Sequence, residues 1–230
     1  MLKHLACIMD GNRRWAKKNG LFPWEGHREG IEAAKRAIKF CLDQSIPYLS
    51  LYLFSLENLK RSETERHFMF NVLPSQVADG LLREFKEGNV RVRFIGDRSL
   101  FPSAIKPFID RFESETKDNT ALQLNLLFCY GGRQEIVEGV KKIAQKIKAG
   151  DITEDQITEE LLEESLWMGE FPAPDMIVRT SGLSRISNFL IYQGAYSEWR
   201  VFDCLWPEIQ EKHLLDVVDG FNTIQRNFGQ

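Results

Sequence analysis

One abrupt change of character near the start of the chain constrains its fold more than any other feature. Residues 4 to 8 (HLACI) are mostly apolar, and after Met9 the chain turns polar from Asp10 to Arg14 (DGNRR) before a helix-compatible segment. Apolar β-formers that end in a glycine turn before a helical pattern predict a buried strand, a loop and a helix. In an open α/β sheet, the ligand lies beyond the carboxyl ends of such strands.

The polar loop itself favours phosphate binding. Gly11 lets backbone N–H groups approach an anion closely, and Arg13 and Arg14 offer fork-shaped donors suited to phosphate oxygens. Asp10 is the lone carboxylate in this basic loop, and a carboxylate that faces phosphates implies a bridging Mg²⁺. Taken alone, the loop also fits a hairpin turn or a solvated basic surface. The polar, helix-compatible RRWAKKNG that follows disfavours the hairpin.

Composition excludes several classes of protein. The 230 residues are 43% hydrophobic and 27% charged, as in ordinary globular proteins, and the net charge of −3 argues against a general nucleic-acid binder. The four cysteines are widely spaced within apolar runs, which predicts reduced core residues and no zinc site. The short apolar run at the start does not resemble a signal peptide, so we expect a cytoplasmic protein.

The rest of the chain alternates strand and helix patterns. Apolar runs predict strands at 48–55, 90–96 and 121–130, in PDMIVRTSG and in WRVFD. Helical spacing predicts helices at about 27–43, from a Ser62–Glu65 capping box through a kink at Pro74, from Pro102 to about 118, after Gly132, from Thr153 to Leu166, at about 187–197 and from Lys212. This alternation predicts an α/β fold, a single domain over residues 1–230 with a central, mostly parallel sheet of about six strands flanked by about seven helices.

Polar clusters accompany most of the predicted strands. Ser55, Asn58 and Arg61 follow the second strand, Gly131 to Arg133 follow the fourth, Arg179, Arg185 and Ser187 follow the fifth, and Glu198 precedes the last. Because such loops converge at one edge of a parallel sheet, we expect them to join Asp10 there, with enough arginines for two phosphate-bearing groups. The motifs of serine hydrolases, P-loop NTPases and NAD enzymes are missing, which disfavours those functions.

These motifs resemble the cis-prenyltransferases, the family of undecaprenyl diphosphate synthase. The matching segments, from about Lys3 to Gly229, are HLACIMDGNRRWA, Gly26-His27, SLENLKR, YGGR and RTSGLSRISNF followed by AYSEW. The resemblance implies a homodimer that condenses isopentenyl diphosphate with an allylic diphosphate in the presence of Mg²⁺, forming Z double bonds. It further implies a lipid carrier for cell-wall synthesis as product, and peripheral contact with the inner face of the cytoplasmic membrane for its release.

The resemblance also assigns roles to single residues. Asp10 corresponds to the catalytic, Mg²⁺-linked aspartate and Glu198 to a second Mg²⁺ ligand, while His27, Ser55 and Asn58 flank the reacting carbons. The general base stays open between Asp10, a Ser55–Asn58 relay and a phosphate oxygen. Arg226 resembles a tail arginine that reaches a neighbouring subunit. The residues implied to bind the allylic diphosphate are Gly11, Asn12, Arg13, Arg14 and Arg61, and those implied to bind isopentenyl diphosphate are Arg179, Arg185 and Ser187. Trp15 and His27 are also expected to bind substrate.

Some positions depart from the family pattern. The departures are Pro23 for an arginine, Leu59 for a tryptophan, Cys129 for an asparagine and Leu183 for a glutamate. They leave open a shorter-chain synthase, and two further alternatives are a non-catalytic scaffold subunit and a phosphate-binding regulator.

Product length should depend on an apolar tunnel, walled by the second strand and the helix that carries Phe68 to Phe85. Leu53 stands where the family often has a small residue. Strand alternation predicts that it shares a face with Ser55 and narrows the tunnel.

Overall fold

Six parallel strands form one sheet in the computed structural model, which describes residues 1–224. The strands are β1 (His4–Ile8), β2 (Tyr48–Ser55), β3 (Val90–Ile95), β4 (Leu122–Tyr130), β5 (Met176–Arg179) and β6 (Glu198–Val201), in the order β3-β4-β2-β1-β5-β6. Every neighbouring pair runs parallel, so all six carboxyl ends lie at the same edge. The predicted α/β fold with a six-stranded sheet is confirmed.

Eight α-helices accompany the sheet within residues 1–224. They are α1 (Asn12–Lys18), α2 (Gly26–Asp43), α3 (Glu63–His67), α4 (Leu73–Glu87), α5 (Lys106–Thr116), α6 (Gly132–Ala149), α7 (Glu159–Ser165) and α8 (Glu211–Thr223). A π-helical turn, Phe68–Val72, separates α3 from α4, so one predicted long helix becomes two, and the eight helices agree with the prediction of about seven. Pro74 lies just after this turn and lacks the N–H that a regular helix would use. None of these helices combines the length and apolar character needed to cross a bilayer.

The strand that leads to the polar loop is buried on both faces. Leu5 and Cys7 belong to the core cluster on one side of the sheet, and Ala6 and Ile8 belong to the cluster on the other side. β1 also lies between β2 and β5, in the middle of the sheet. Its apolar sequence is therefore explained by its central position, and the loop that begins at Asp10 emerges in the centre of the carboxyl edge.

The helix predicted at about 187–197 does not form. Ser187, Asn188 and Leu190 have φ angles of 50°, 63° and 41°, which lie in the left-handed region and interrupt a right-handed helix. Only a short 3₁₀ turn, Gln193–Tyr196, remains of it. The segment instead wraps around the carboxyl end of β5 as an irregular loop.

Two other helices begin later than the sequence predicts. The helix expected from Thr153 is divided into a 3₁₀ turn, Glu154–Gln156, and α7, because Thr158 caps a new helix by accepting the Leu161 N–H at 3.2 Å. The helix expected from Pro102 starts as α5 only at Lys106, after a turn in which the Ile105 N–H donates to the Pro102 carbonyl.

Candidate active site

An ion pair at the centre of the carboxyl edge joins Asp10 to Arg179. Ile8 is the register partner of Arg179, so the parallel pairing of β1 and β5 brings the two residues together. Arg179 Nη2 donates to Asp10 Oδ2 at 2.7 Å, and Nη1 donates to Ser187 Oγ at 2.6 Å and to the carbonyl of Arg185. Arg179 is only 3% exposed. Its guanidinium therefore joins the loops that follow β1 and β5.

Several groups fix Asp10 and its charge. Burial alone would raise the pKa of Asp10, but the hydrogen bond and positive charge of Arg179 outweigh it and hold the pKa below its usual value. Arg14 Nη2 lies 3.3 Å from the other carboxylate oxygen. The Asp10 carbonyl accepts from Thr180 Oγ1 at 2.6 Å and from the Trp206 N–H at 3.0 Å. Asp10 is thus ionised at neutral pH, and contacts fix both its carboxylate and its backbone carbonyl.

A second charge cluster is centred on Glu65, which sequence reasoning treated only as part of a helix cap. The cap is half formed, since Ser62 Oγ accepts the Glu65 N–H at 3.3 Å but the Glu65 side chain points inward. Glu65 Oε1 accepts from Arg61 Nη1 at 3.0 Å and from His27 Nε2 at 3.3 Å, and Arg13 Nε lies 3.9 Å away. The hydrogen bond from His27 and the nearby arginine charges lower the pKa of Glu65 despite its burial.

A sequence signal for Glu65 exists. The carboxylate stands four residues after Arg61, the spacing of a helical ion pair, and four residues before Met69 on the apolar stripe of the predicted helix. A carboxylate on an apolar stripe is expected to be buried, and a buried charge is stable only when a basic side chain pairs with it. The partner His27 lies on α2 and could not be named from the sequence.

Two cavities meet at these clusters and share five lining residues, Met9, Asp10, Asn12, His27 and Arg61. The basic cavity, of about 540 Å³, is also lined by Gly11, Arg13, Arg14, Lys17, Leu21 and Pro23. The apolar cavity, of about 350 Å³, extends beneath the carboxyl edge and is also lined by Ser55, Asn58, Arg179 and Ser187 at its polar end. An anion in the first cavity could therefore carry an apolar chain that enters the second.

The predicted tunnel walls are confirmed as walls of the apolar cavity. Leu51 and Leu53 of β2 line one side, and the helix supplies Met69, Phe70, Leu73, Pro74, Val77, Leu81 and Phe85. Sequence reasoning missed further walls, which come from α2, α5 and strands β3 and β4. The deep end is enclosed by aromatic rings, among them Phe94, Phe108, Phe112 and Phe128.

Leu53 reaches this cavity by a route other than the predicted one. Between Tyr52 and Phe54 the pairing of β2 with β4 advances by only one residue, which marks a β-bulge at Leu53. Phe54 consequently packs in the same core cluster as Leu51, whereas Tyr52 packs on the opposite face. The regular alternation behind the prediction is therefore interrupted, but Leu53 and Ser55 both line the apolar cavity, as expected.

Most of the predicted site residues gather around the two cavities, but Trp15, Arg185 and Glu198 do not. Trp15 lies on α1 and is not among the described residues that line either cavity. Arg185 projects an exposed side chain from the loop after β5, outside both linings. Arg226 lies outside the described residues.

Glu198 is placed far from Asp10 within one chain, contrary to the expectation that they converge. It is the first residue of β6 and pairs with Met176 at the start of β5, whereas Asp10 contacts Arg179 at the end of β5. Three residues of strand separate the two levels by roughly 10 Å. A residue that precedes a parallel strand lies at the amino edge of the sheet, so it does not share a metal ion with a loop at the carboxyl edge.

Comparison with known proteins finds relatives over nearly the whole chain. A family model described as "Putative undecaprenyl diphosphate synthase" matches residues 8–229. The isoprenyl transferase of Halalkalibacterium halodurans is 40% identical over 227 residues, covering 99% of this chain and 88% of that protein. The (2E,6E)-farnesyl-diphosphate-specific ditrans,polycis-undecaprenyl-diphosphate synthase of Escherichia coli strain K12 is also 40% identical, covering 99% and 89%.

A solved structure of a related enzyme has the same fold. The lavandulyl diphosphate synthase of Lavandula x intermedia, in complex with dimethylallyl diphosphate, superposes with a TM-score of 0.94 at 31% identity, covering 100% of this chain and 98% of that one. The chain belongs to the undecaprenyl diphosphate synthase family. It is a cis-prenyltransferase, and the resemblance drawn from its motifs is confirmed.

The four departures from the family's motifs can now be placed. Pro23 lines the basic cavity, where it brings no charge. Leu59 packs against the main core cluster. Cys129 is buried at a φ of 47°, a backbone region that asparagine adopts more readily than cysteine. Leu183 is half-buried in the loop after β5. None of the four replaces a member of the Asp10 or Glu65 clusters.

Proposed function

We propose that this prenyltransferase condenses isopentenyl diphosphate with an allylic diphosphate, such as farnesyl diphosphate, to form a Z-polyprenyl diphosphate. The observation that carries the proposal is the ion pair of Asp10 with the buried Arg179 at the junction of a basic cavity and an apolar cavity. A diphosphate ester with a prenyl tail has the same division into a highly charged head and an apolar chain.

The basic cavity suits the diphosphate of the allylic substrate. Arg13, Arg14 and Arg61 would contact its oxygens, and the backbone of Gly11 lines the same cavity. When the allylic C1–O bond breaks, negative charge grows on the departing diphosphate. A fixed positive charge about 4 Å away is worth about 4 kcal/mol at an effective dielectric of about 20, so several arginines together favour departure.

Isopentenyl diphosphate would bind between the loops after β1 and β5. Arg185 has an exposed side chain free to reach a diphosphate at the rim, and Ser187 lines the cavity. Arg179 Nε is buried and has no hydrogen-bond partner among the described residues, so its N–H remains available to donate to a phosphate oxygen. The alkene would attack allylic C1 and then lose a proton from C2, with Asp10, the Ser55–Asn58 pair or a phosphate oxygen as the acceptor.

Mg²⁺ fits this site as a companion of the substrate and not as a resident ion. Among residues 1–224, His, Cys, Asp and Glu side chains do not gather in a group of three or more that could hold a metal. Asp10 offers one carboxylate, and Mg²⁺ commonly takes one or two carboxylates with substrate phosphates and water. When bound, Mg²⁺ would neutralise charge on the diphosphate. Glu198 could take part only from a second copy of the chain.

We further propose a homodimer that works in the cytoplasm and releases its product at the inner face of the cytoplasmic membrane. Tyr196, just before the edge strand β6, and Trp199, within it, are 67% and 36% exposed and offer an apolar surface that a second copy would cover. A shorter product than undecaprenyl diphosphate is the second candidate, because Leu53 adds bulk to a cavity of about 350 Å³.

Incubation with labelled isopentenyl diphosphate, an allylic primer and Mg²⁺, followed by chromatography of the dephosphorylated products, tests the proposal. The expected result is a ladder of prenyl chains longer than the primer. A chain that binds both diphosphates without extending the primer would be a phosphate-binding regulator, and one that only stimulates another synthase would be a scaffold subunit.

A further inference from the structure

We propose that Asn188 is a positioning residue for the isopentenyl diphosphate site, because its side chain ties the loop after β5 to the loop after β2. The first of these loops carries Ser187, and the second carries Asn58 directly after the end of β2 at Ser55. This inference rests on the proposed function and adds a residue to which the sequence motifs assigned no role.

Three segments at the carboxyl edge of the sheet meet at the Asn188 side chain. Its Nδ2 donates to Glu57 Oε1, after β2, at 3.0 Å and to Gln134 Oε1, in α6, at 3.1 Å. Its Oδ1 accepts the Arg133 N–H at 2.9 Å, and its backbone carbonyl accepts the Gly132 N–H at 2.8 Å. Two acceptors at Nδ2 and a backbone donor at Oδ1 define which way the amide points.

The backbone around Asn188 suits this role. Its φ of 63° lies in the left-handed region, which asparagine and aspartate adopt more readily than other residues with a side chain. Gly131 provides no side-chain cap for α6, and the two N–H groups bound by Asn188 belong to the first turn of that helix. A Cβ on Gly131 would lie 2.6 Å from Asn188 Nδ2. The glycine of the YGGR motif therefore leaves room for the amide.

One end of the bridge lies at the proposed isopentenyl diphosphate clamp. Ser187, which precedes Asn188, accepts from Arg179 Nη1 at 2.6 Å and lines the apolar cavity. The same guanidinium donates to Asp10 at 2.7 Å. A shift of Asn188 would therefore displace Ser187 relative to the charged centre of the site.

The other end of the bridge lies beside the reacting carbons. Glu57 belongs to the 3₁₀ turn Leu56–Lys60, and in the same segment the Ser55 N–H donates to Asn58 Oδ1 at 3.3 Å. Both Ser55 and Asn58 line the apolar cavity. The turn contains no fully buried residue, so one polar bridge restrains it more than it would restrain packed core.

The expected consequence is kinetic. A misplacement of about 1 Å in groups that position a substrate can reduce the rate by about 100-fold. Asn188 is only half-buried, and one neutral hydrogen bond contributes about 1 kcal/mol to stability. Loss of the bridge should therefore weaken the use of isopentenyl diphosphate much more than it weakens the fold.

Asn188→Asp tests the bridge while it preserves the other contacts. Aspartate tolerates the left-handed backbone and keeps an oxygen for the Arg133 N–H, where a carboxylate also suits a helix N-terminus. It replaces the Nδ2 donor by an oxygen that faces the Glu57 carboxylate. We expect the KM for isopentenyl diphosphate to rise by roughly fivefold or more and the KM for farnesyl diphosphate to change by less than about twofold. Circular dichroism and Tm should stay close to those of wild type.

An exchange of donor and acceptor should rescue this variant. In Asn188→Asp/Glu57→Gln the introduced amide donates to the introduced carboxylate, so we expect the KM for isopentenyl diphosphate to return to within about twofold of wild type. Asn188→Asp/Glu57→Ala restores the same net charge without a donor and should stay impaired. The matched control Gln134→Ala removes the other acceptor of Nδ2, on α6, and should leave both KM values unchanged.

Gly131→Ala tests the same contact without changing Asn188. Its φ of −161° is extended backbone that alanine adopts, whereas its methyl group would push Nδ2 aside. We again expect a rise in the KM for isopentenyl diphosphate and little change for farnesyl diphosphate. This variant decides the question if Asn188→Asp fails to fold.

The outcomes separate the role of Asn188 from the proposed function. Equal rises in both KM values, or an unchanged KM for isopentenyl diphosphate in Asn188→Asp, would overturn the positioning role. Recovery in Asn188→Asp/Glu57→Ala would also overturn it, since repulsion by the introduced charge would then explain the defect. Wild-type enzyme that incorporates no isopentenyl diphosphate would overturn the proposed function, and the role of Asn188 with it.

Discussion

Replacing Glu65 by glutamine should destabilise the protein more than any other exchange of a carboxylate for an amide on α3. The Glu65 side chain is 4% exposed and faces three basic side chains, at 3.0 Å from Arg61, 3.3 Å from His27 and 3.9 Å from Arg13. Glutamine keeps the shape and one acceptor oxygen but removes the charge. Burial also lowers the pKa of Arg61, an effect that Glu65 opposes, so the substitution leaves a half-buried guanidinium without its counter-charge.

The expected loss in the free energy of unfolding follows from the hydrogen bonds whose acceptor would no longer be charged. Hydrogen bonds to charged groups contribute about 1.5–3 kcal/mol each, and one of the two shorter contacts can persist to the amide oxygen. We therefore expect the free energy of unfolding to fall by about 2 kcal/mol at pH 7. In a chain of 230 residues this corresponds to a decrease in Tm of about 4–8 °C. The matched control is Glu63→Gln, at an exposed position of the same helix, with an expected change below about 0.5 kcal/mol.

The pH dependence provides the decisive assay. The pKa of Glu65 is lowered in the folded state from its ordinary value of 4.5, so its contribution is fully present above that value and is lost as pH falls through the folded pKa. Urea unfolding of wild type and Glu65→Gln should therefore show a difference that is constant from pH 7 to about pH 5 and shrinks at lower pH. A difference that persists undiminished in acid, or that equals that of Glu63→Gln, would refute the role of this charge.

Three further substitutions test the polar and apolar parts of the site. Asp10→Asn should reduce turnover more than tenfold, equivalent to about 1.4 kcal/mol of barrier, while the circular dichroism spectrum stays native; a smaller loss would show that Asp10 is not central. Arg185→Ala should raise the KM for isopentenyl diphosphate more than that for the allylic primer, and equal effects in steady-state kinetics would mean that the two diphosphate sites are wrongly assigned. Arg185 is a cleaner test than Arg179, whose removal also leaves Asp10 unpaired. Leu53→Ala should lengthen the products separated by chromatography, and an unchanged distribution would show that Leu53 does not limit the tunnel.

The sequence predicted the features that follow from local pattern and sheet geometry. The apolar run of β1 and the polar loop at Asp10 lie where expected, because a strand buried on both faces needs a continuous apolar sequence. The meeting of Asp10 with Arg179 follows from parallel pairing, which brings the ends of β1 and β5 to one edge. Neither prediction required knowledge of contacts between residues far apart in the chain other than the pairing of parallel strands.

The failures have different physical causes. The segment after Ser187 has left-handed backbone angles because loop contacts hold it, including the Gly132 N–H on the Asn188 carbonyl at 2.8 Å. The bulge at Leu53 arises from a change in the pairing of β2 with β4. The sequence of β2 alone does not indicate where that change occurs. Glu198 was misplaced because a residue before a strand was grouped with residues after strands.

The helix that begins at Glu63 connects the two halves of the site. Glu65 in α3 holds Arg61 and His27 at the polar mouth, and one turn later Met69 and Phe70 already form the wall of the apolar cavity. Met69 and Phe70 belong to the π-helical turn that separates α3 from α4, so the ion pairs of α3 and the wall residues of α4 lie in different helices. Turnover should therefore depend on the polar mouth and product length on the apolar wall. Substitutions in α4 should change the length distribution with little effect on the KM for either diphosphate.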